Sequence, residues 1–303
     1  MKRAIILLAV FSLIISSATK ASIAKEPPIN VFVSILPQSY FVERIGGERI
    51  SVKVLVDPGE DPHTFDPTPK QMMALSDAQL YFGIGFPFEH RILRKMQSSN
   101  LKLKLVHTDR GINRRPLDDA HNHKTELDRN YNKVGVDNHE EGGLDPHIWL
   151  SVPEIKIQVK NIHDALLDID PSHRAVYQNN LDQFLKELEK VDAALHELFK
   201  PYRGRTFFVF HPSFGYFADT YGLKQIPIEI EGKSPTPRQI EALIKEAKRQ
   251  NARIIFVSPQ FSQKSAEIIS RAIGGAVVPI NPMEKNVLKN LEDIALKIHK
   301  SLE

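Results

Sequence analysis

"DPSHRAVYQNNLDQFLKELEKVDAALHELFK", Asp170–Lys200, is the stretch on which the fold turns. Leu181, Phe184, Leu185, Leu188, Val191 and Leu195 recur at helical spacing. Asp170 is a natural N-cap, and Pro171 suits the first helical position. At about 1.5 Å per residue, some 30 residues span roughly 45 Å. No Gly or Ser follows Ser172 within it, so it is not a flexible linker. The spacing predicts one long stiff strut between two domains, rather than an ordinary helix packed inside one.

What lies on either side fits two units. Before the strut, "VFVSIL" (31–36), "ISVKVLV" (50–56), "QLYFGI" (79–84) and "LKLV" (103–106) read as strands. "YFVERI", "PKQMMALSD" and "PFEHRILRKM" read as the helices between them. After it come the strands "TFFVF" (206–210), "QIPIEI" (225–230), "RIIFVS" (253–258) and "AVVPI" (276–280), again alternating with helical patterns. Strand–helix alternation implies a mostly parallel sheet. The expected class is therefore α/β: two similar lobes, each a small parallel sheet flanked by helices, joined by one long rigid helix. The boundaries expected are 25–168, 169–202 and 203–303.

The first residues, "MKRAIILLAVFSLIISSATKASIA", are basic, then apolar, then small. This pattern predicts a signal peptide over 1–24, with cleavage after Ala18, Ala21 or Ala24, and a periplasmic protein. Its removal lowers Lys+Arg from 40 to 37, against 37 acidic residues, so the mature chain is near neutral. Composition thus gives no reason to expect nucleic acid. The chain has no cysteine, which excludes disulfides, thiolate metal sites and a lipidated cysteine.

Residues 109–143 are polar, with few apolar side chains to bury, and are expected to form a mobile loop. His121, His123 and His139 within it could capture metal weakly.

Three other histidines have distinctive settings. His63 stands in "VDPGEDPHTFDPTPKQ" (56–71), a loop stiffened by four prolines. His147 follows Asp145-Pro146 and repeats the Asp-Pro-His of residues 61–63. His211 closes the strand "FFVF", and Pro212 stops it. Ligands of open α/β sheets bind beyond the carboxyl ends of the strands. Neutral imidazoles on short rigid turns suit a shared zinc ion, and Asp61 or Asp145 could hold a ring by its other nitrogen.

"PGEDPHTFDPTP", "DPHIWLS", "VFHPSFGYFADTYGL" and "IEGKSPTPRQI" resemble the segments of metal-binding solute-binding proteins of ABC importers, the zinc-uptake type. The likeness runs in order from about residue 29 to the C-terminus. It implies one metal in the cleft between two α/β lobes, carried as Zn2+ to a membrane permease. His63, His147 and His211 match the three histidine ligands. In manganese-type relatives the third position is glutamate, so His211 favours zinc. The usual acidic fourth ligand is replaced by Asn281 in "VVPINPMEK". Water, Glu60 or a carboxylate of the polar loop could complete the site, and Glu231 is a possible cleft residue. A monomer is expected.

Two other readings compete. One keeps the fold but takes manganese or iron. The other is a secreted zinc-dependent hydrolase, since three histidines and an open position also describe a hydrolytic site. Against that reading, the chain has no HExxH and no GxSxG.

Overall fold

The computed structural model describes residues 26–92, 103–118, 143–230 and 232–303. The expected signal peptide, His121, His123, His139 and Glu231 lie outside the described residues.

The first sheet contains β1 (Ile29–Val33), β2 (Ile50–Val54), β3 (Leu80–Gly83) and β4 (Lys104–His107). Its order is β2-β1-β3-β4, with every pairing parallel. Between the strands run α1 (Leu36–Gly46) and α2 (Pro69–Ser76). Thr68 and Gln71 cap the start of α2 reciprocally, with Pro69 in its first turn. Then come α3 (Val152–Ile169) and α4 (Arg174–Phe199).

The second sheet repeats the plan. Its strands are β5 (Thr206–Val209), β6 (Lys224–Pro227), β7 (Ile254–Val257) and β8 (Ala276–Pro279), in the parallel order β6-β5-β7-β8. Its helices are α5 (Gly215–Tyr221), α6 (Pro237–Arg249), α7 (Lys264–Ala272) and α8 (Val287–Leu302). Pro227 and Pro279 end β6 and β8, the two edge strands, where a missing N–H costs no interior ladder bond. Each sheet therefore has its switch point beside its central first strand, β1 or β5.

The long helix lies between the lobes, but it is not a bare strut. Tyr177, Leu181, Phe184, Leu188, Val191, Leu195 and Phe199 are all buried on one stripe. They pack against α1 and α3 on one side and α8 on the other. Asp170 also behaves differently from a simple N-cap. A 3-10 turn over Pro171–His173 precedes the α-helix. The Asp170 carboxylate accepts from Ser172, His173, Tyr177 and Arg49 side chains instead of capping helix N–H groups.

Period-2 alternation in β5 and β7 divides the packing of the second sheet. Phe207, Val209 and Phe256 face a core continuous with β1, β3, α3, α4 and α8. Phe208, Ile255 and Val257 face the other way, onto Leu243 and Ala247 of α6 and Ile269 of α7.

Candidate metal centre

Three turns present the imidazoles: those of His63 and His211 follow β2 and β5, and that of His147 leads into a 3-10 turn over Ile148–Leu150. In Asp61-Pro62-His63, Asp61 Oδ1 accepts from the His63 backbone N–H at 2.9 Å. In Asp145-Pro146-His147, Asp145 Oδ1 accepts from the His147 backbone N–H, also at 2.9 Å. Proline has no N–H, so the first donor available to each aspartate is the histidine two residues on. The repeated tripeptide is thus a repeated turn that fixes where the ring starts. His211 lies just past β5, and Ser213 N–H closes a tight turn onto the His211 carbonyl at 2.8 Å.

The three rings converge. His211 Nε2 lies 3.2 Å from His63 Nε2 and 3.3 Å from His147 Nε2. His147 and His211 are buried, and His63 is partly so. Carboxylates hold two of the rings from behind. His147 Nδ1 is 2.7 Å from Asp145 Oδ1, and His211 Nδ1 is 2.6 Å from Glu229 Oε1. An ionised carboxylate only accepts, so each Nδ1 carries the proton and each Nε2 is left with a lone pair. Neither of these two Nε2 atoms can donate to the other across 3.3 Å. Burial, with His147 and His211 beside it, pushes His63 down to about 2. Burial lowers His147 too, and outweighs the opposing pull of Asp145. Neutral imidazole is the form that binds a metal.

The cavity they share is about 20 Å³, also lined by Asp61, Trp149, Gln260, Phe261 and Met283. That is room for one water-sized body, far below the roughly 300 Å³ and more of a small-molecule site. Trp149 is buried beside His147 and donates from Nε1 to the Pro282 carbonyl at 2.8 Å, tying the two sheets' loops together. Arg115 adds a second tie, pairing with Asp145 at 3.2 Å and with Asp219 of α5 at 2.9 Å.

The other candidates, and three histidines outside the candidate set, fall elsewhere. Asp61 binds its histidine's backbone, not the ring. Glu60 is exposed, and its carboxylate accepts from Asp57 N–H at 3.1 Å. Asn281 does not line the cavity: its Oδ1 accepts from Met283 N–H and its Nδ2 donates to Glu284. His163 pairs with Asp164 on α3, and His196 lies on α4, away from the three. His173 falls in a second group with Glu26 and Asp170, where the Asp170 oxygens accept from Arg49, Ser172, His173 and Tyr177 and Glu26 Oε2 accepts from Arg49. Sequence reasoning missed Glu229, Gln260 and Phe261. A carboxylate two residues past the Pro227 end of β6 was the available signal for Glu229.

The family model of the zinc-uptake complex component A, periplasmic (ZnuA), matches residues 31–296. A crystal structure of ZnuA superposes with a TM-score of 0.81 at 38% identity, covering 91% of this chain and 100% of that one. The high-affinity zinc uptake system protein ZnuA of Bacillus subtilis is 26% identical over 89% of this chain and 83% of its own length. The manganese-binding lipoprotein MntA of Halalkalibacterium halodurans is 27% identical over 77% of this chain and 72% of its own.

Proposed function

This chain belongs to the family of the periplasmic zinc-uptake component A, metal-binding components of ABC transporters, and on that premise we propose that it captures Zn2+ outside the cytoplasmic membrane and hands it to a membrane permease. His63, His147 and His211 hold the ion through Nε2.

One observation carries the reading. Two tautomers fixed by Asp145 and Glu229 aim lone pairs at one point, with Nε2 separations of 3.2 and 3.3 Å about His211. Zn–N bonds of about 2.0–2.1 Å in a tetrahedron give N···N edges of roughly 3.3–3.4 Å. Such a cluster is electrostatically poor with nothing between the lone pairs and favourable around a cation.

The donor chemistry supports zinc over manganese. Imidazole suits zinc, whereas manganese prefers carboxylate, carbonyl and water. The manganese-binding relative keeps the second ion in the test. A hydrolase is disfavoured by size, since a cavity of about 20 Å³ has no room for a substrate beside the ion.

Titration calorimetry of wild type and of His63→Ala, His147→Ala and His211→Ala with Zn2+ and Mn2+ tests this. Each alanine should weaken zinc by more than about 100-fold, beyond what loss of an outer partner costs. Wild-type zinc affinity in His211→Ala would refute the shared site. Tighter binding of Mn2+ than of Zn2+ by the wild type would refute the choice of ion.

A further inference from the structure

We propose that Gln260 supplies the oxygen that completes the coordination of the captured cation, and that Asn281 is the residue that aims it. The inference rests on the capture reading above. It moves the oxygen donor from Asn281, where sequence position suggests it, to Gln260.

Gln260 follows β7 at its carboxyl end and lines the same cavity as His63, His147 and His211. The turn that carries it is braced twice. Phe261 N–H donates to the Ser258 carbonyl at 3.1 Å, and the Phe261 ring stacks on His211 with centroids 4.6 Å apart and planes at 23°.

The orientation of the amide follows from its neighbours. Gln260 Nε2 donates to Asn281 Oδ1 at 3.4 Å. Asn281 is itself fixed, because Oδ1 also accepts from Met283 N–H at 3.0 Å and Nδ2 donates to Glu284 Oε1 at 2.6 Å. A carboxylate can only accept, so the Asn281 amide has one sensible orientation. That leaves its oxygen to Gln260, and only the Nε2 end of Gln260 can answer. Gln260 Oε1 is thereby turned from Asn281. It is buried and has no donor among the described residues. Buried polar atoms are normally partnered. Gln260 lines the cavity of about 20 Å³ that three imidazoles share, and a cation placed there is the partner its free acceptor lacks.

An amide oxygen brings a donor without bringing charge. The ion keeps its full double charge at the site, and the carboxylates of Asp145 and Glu229 offset it from behind the rings. Three imidazole nitrogens and one neutral oxygen keep the donor set suited to zinc.

The test uses the full chain as wild type, Gln260→Leu, Gln260→Glu, Asn281→Ala and His211→Ala. Zinc affinity is read by competition with a chromophoric chelator. The visible ligand-field spectrum of the Co2+-loaded protein is read alongside, since a purely structural residue would leave it unchanged. Gln260→Leu should weaken zinc about 10-fold and shift the Co2+ bands. Gln260→Glu, which restores an oxygen but lacks the N–H that Asn281 holds, should recover part of the loss, and Asn281→Ala should weaken zinc less than Gln260→Leu. An unshifted Co2+ spectrum in Gln260→Leu, at any affinity, overturns the role of Gln260. If His211→Ala loses zinc in that same experiment, the capture reading survives. Wild-type affinity in His211→Ala overturns the capture reading, and this inference with it.

Discussion

His63 makes the metal-free protein sensitive to acid, and the size of the effect can be worked out. In the folded chain its ring is pushed from 6.5 down to about 2 by burial and by its two histidine neighbours. An unfolded chain takes up the proton below about 6.5 while the folded chain does not. Protons therefore favour the unfolded state. The stability held by the neutral ring is fully present above pH ~6.5 and is lost progressively as pH falls toward about 2. Between pH 7.5 and pH 5 the loss is about 1.4 kcal/mol for each of roughly 1.5 pH units, or about 2 kcal/mol. At about 2–4 °C per kcal/mol this is roughly 4–8 °C in Tm. His147 is lowered as well and adds in the same direction. The assay is urea unfolding in chelator at pH 7.5, 6 and 5, for wild type and His63→Asn. Other groups titrate in both proteins, so the difference between the two pH dependences isolates His63. The wild type should lose about 2 kcal/mol more than the variant. Equal losses would show that the His63 ring takes a proton readily in the folded cleft, and the reasoning would fail.

Three further outcomes are expected. Asp145→Asn replaces the charged acceptor behind the His147 ring with a neutral amide and should weaken zinc about 10–100-fold; wild-type affinity would show that the ring needs no carboxylate. Replacing residues 119–142 with a short linker should leave the tight site intact, because Leu117 N–H already donates to the Gly143 carbonyl at 3.2 Å at the base of the segment; loss of tight binding by calorimetry would place a ligand within it. Phe184→Ala should cost about 3–5 kcal/mol in urea unfolding, since the ring is fully buried, packs edge-on to Tyr40 at 5.6 Å and carries the Arg44 guanidinium 4.4 Å from its centroid; a loss under about 1 kcal/mol would show that α4 is not packed as described.

The sheets were legible because their central strands, such as β3 and β7, are buried apolar runs, and the observed limits of all eight differ from the expected ones by only a few residues. Pro212 marked the end of β5, but the expected strands 225–230 and 276–280 ran through Pro227 and Pro279, where β6 and β8 in fact end. The histidine trio was legible for a related reason: each ring stands beside a proline, which leaves its backbone few places to go. What surrounds the rings was not legible. Glu229 reaches His211 only because β5 and β6 pair in a register that brings Glu229 N–H to the Phe210 carbonyl. Asn281 stands where an acidic ligand was expected, yet neighbours within three residues hold its side chain away from the cavity. Gln260 looks like any polar loop residue until its Oε1 is found buried. Periodicity revealed the length of α4 and its apolar stripe, but not which elements cover that stripe.

The apolar interior shared by the two lobes has a calorimetric consequence. Residues of β1 and β3, the stripe of α4, Phe207 and Val209 of β5, and Leu291, Ile294 and Ile298 of α8 belong to one contiguous cluster. Neither sheet can be exposed to water without opening the interior of the other. Melting should then be a single endotherm, with calorimetric and van't Hoff enthalpies that agree, rather than two peaks from independently melting halves. In such an all-or-none molecule, one proton or one ion bound at the cleft is felt by every residue of the shared interior. The chain should then melt as a unit, at a temperature set by whatever occupies the cleft.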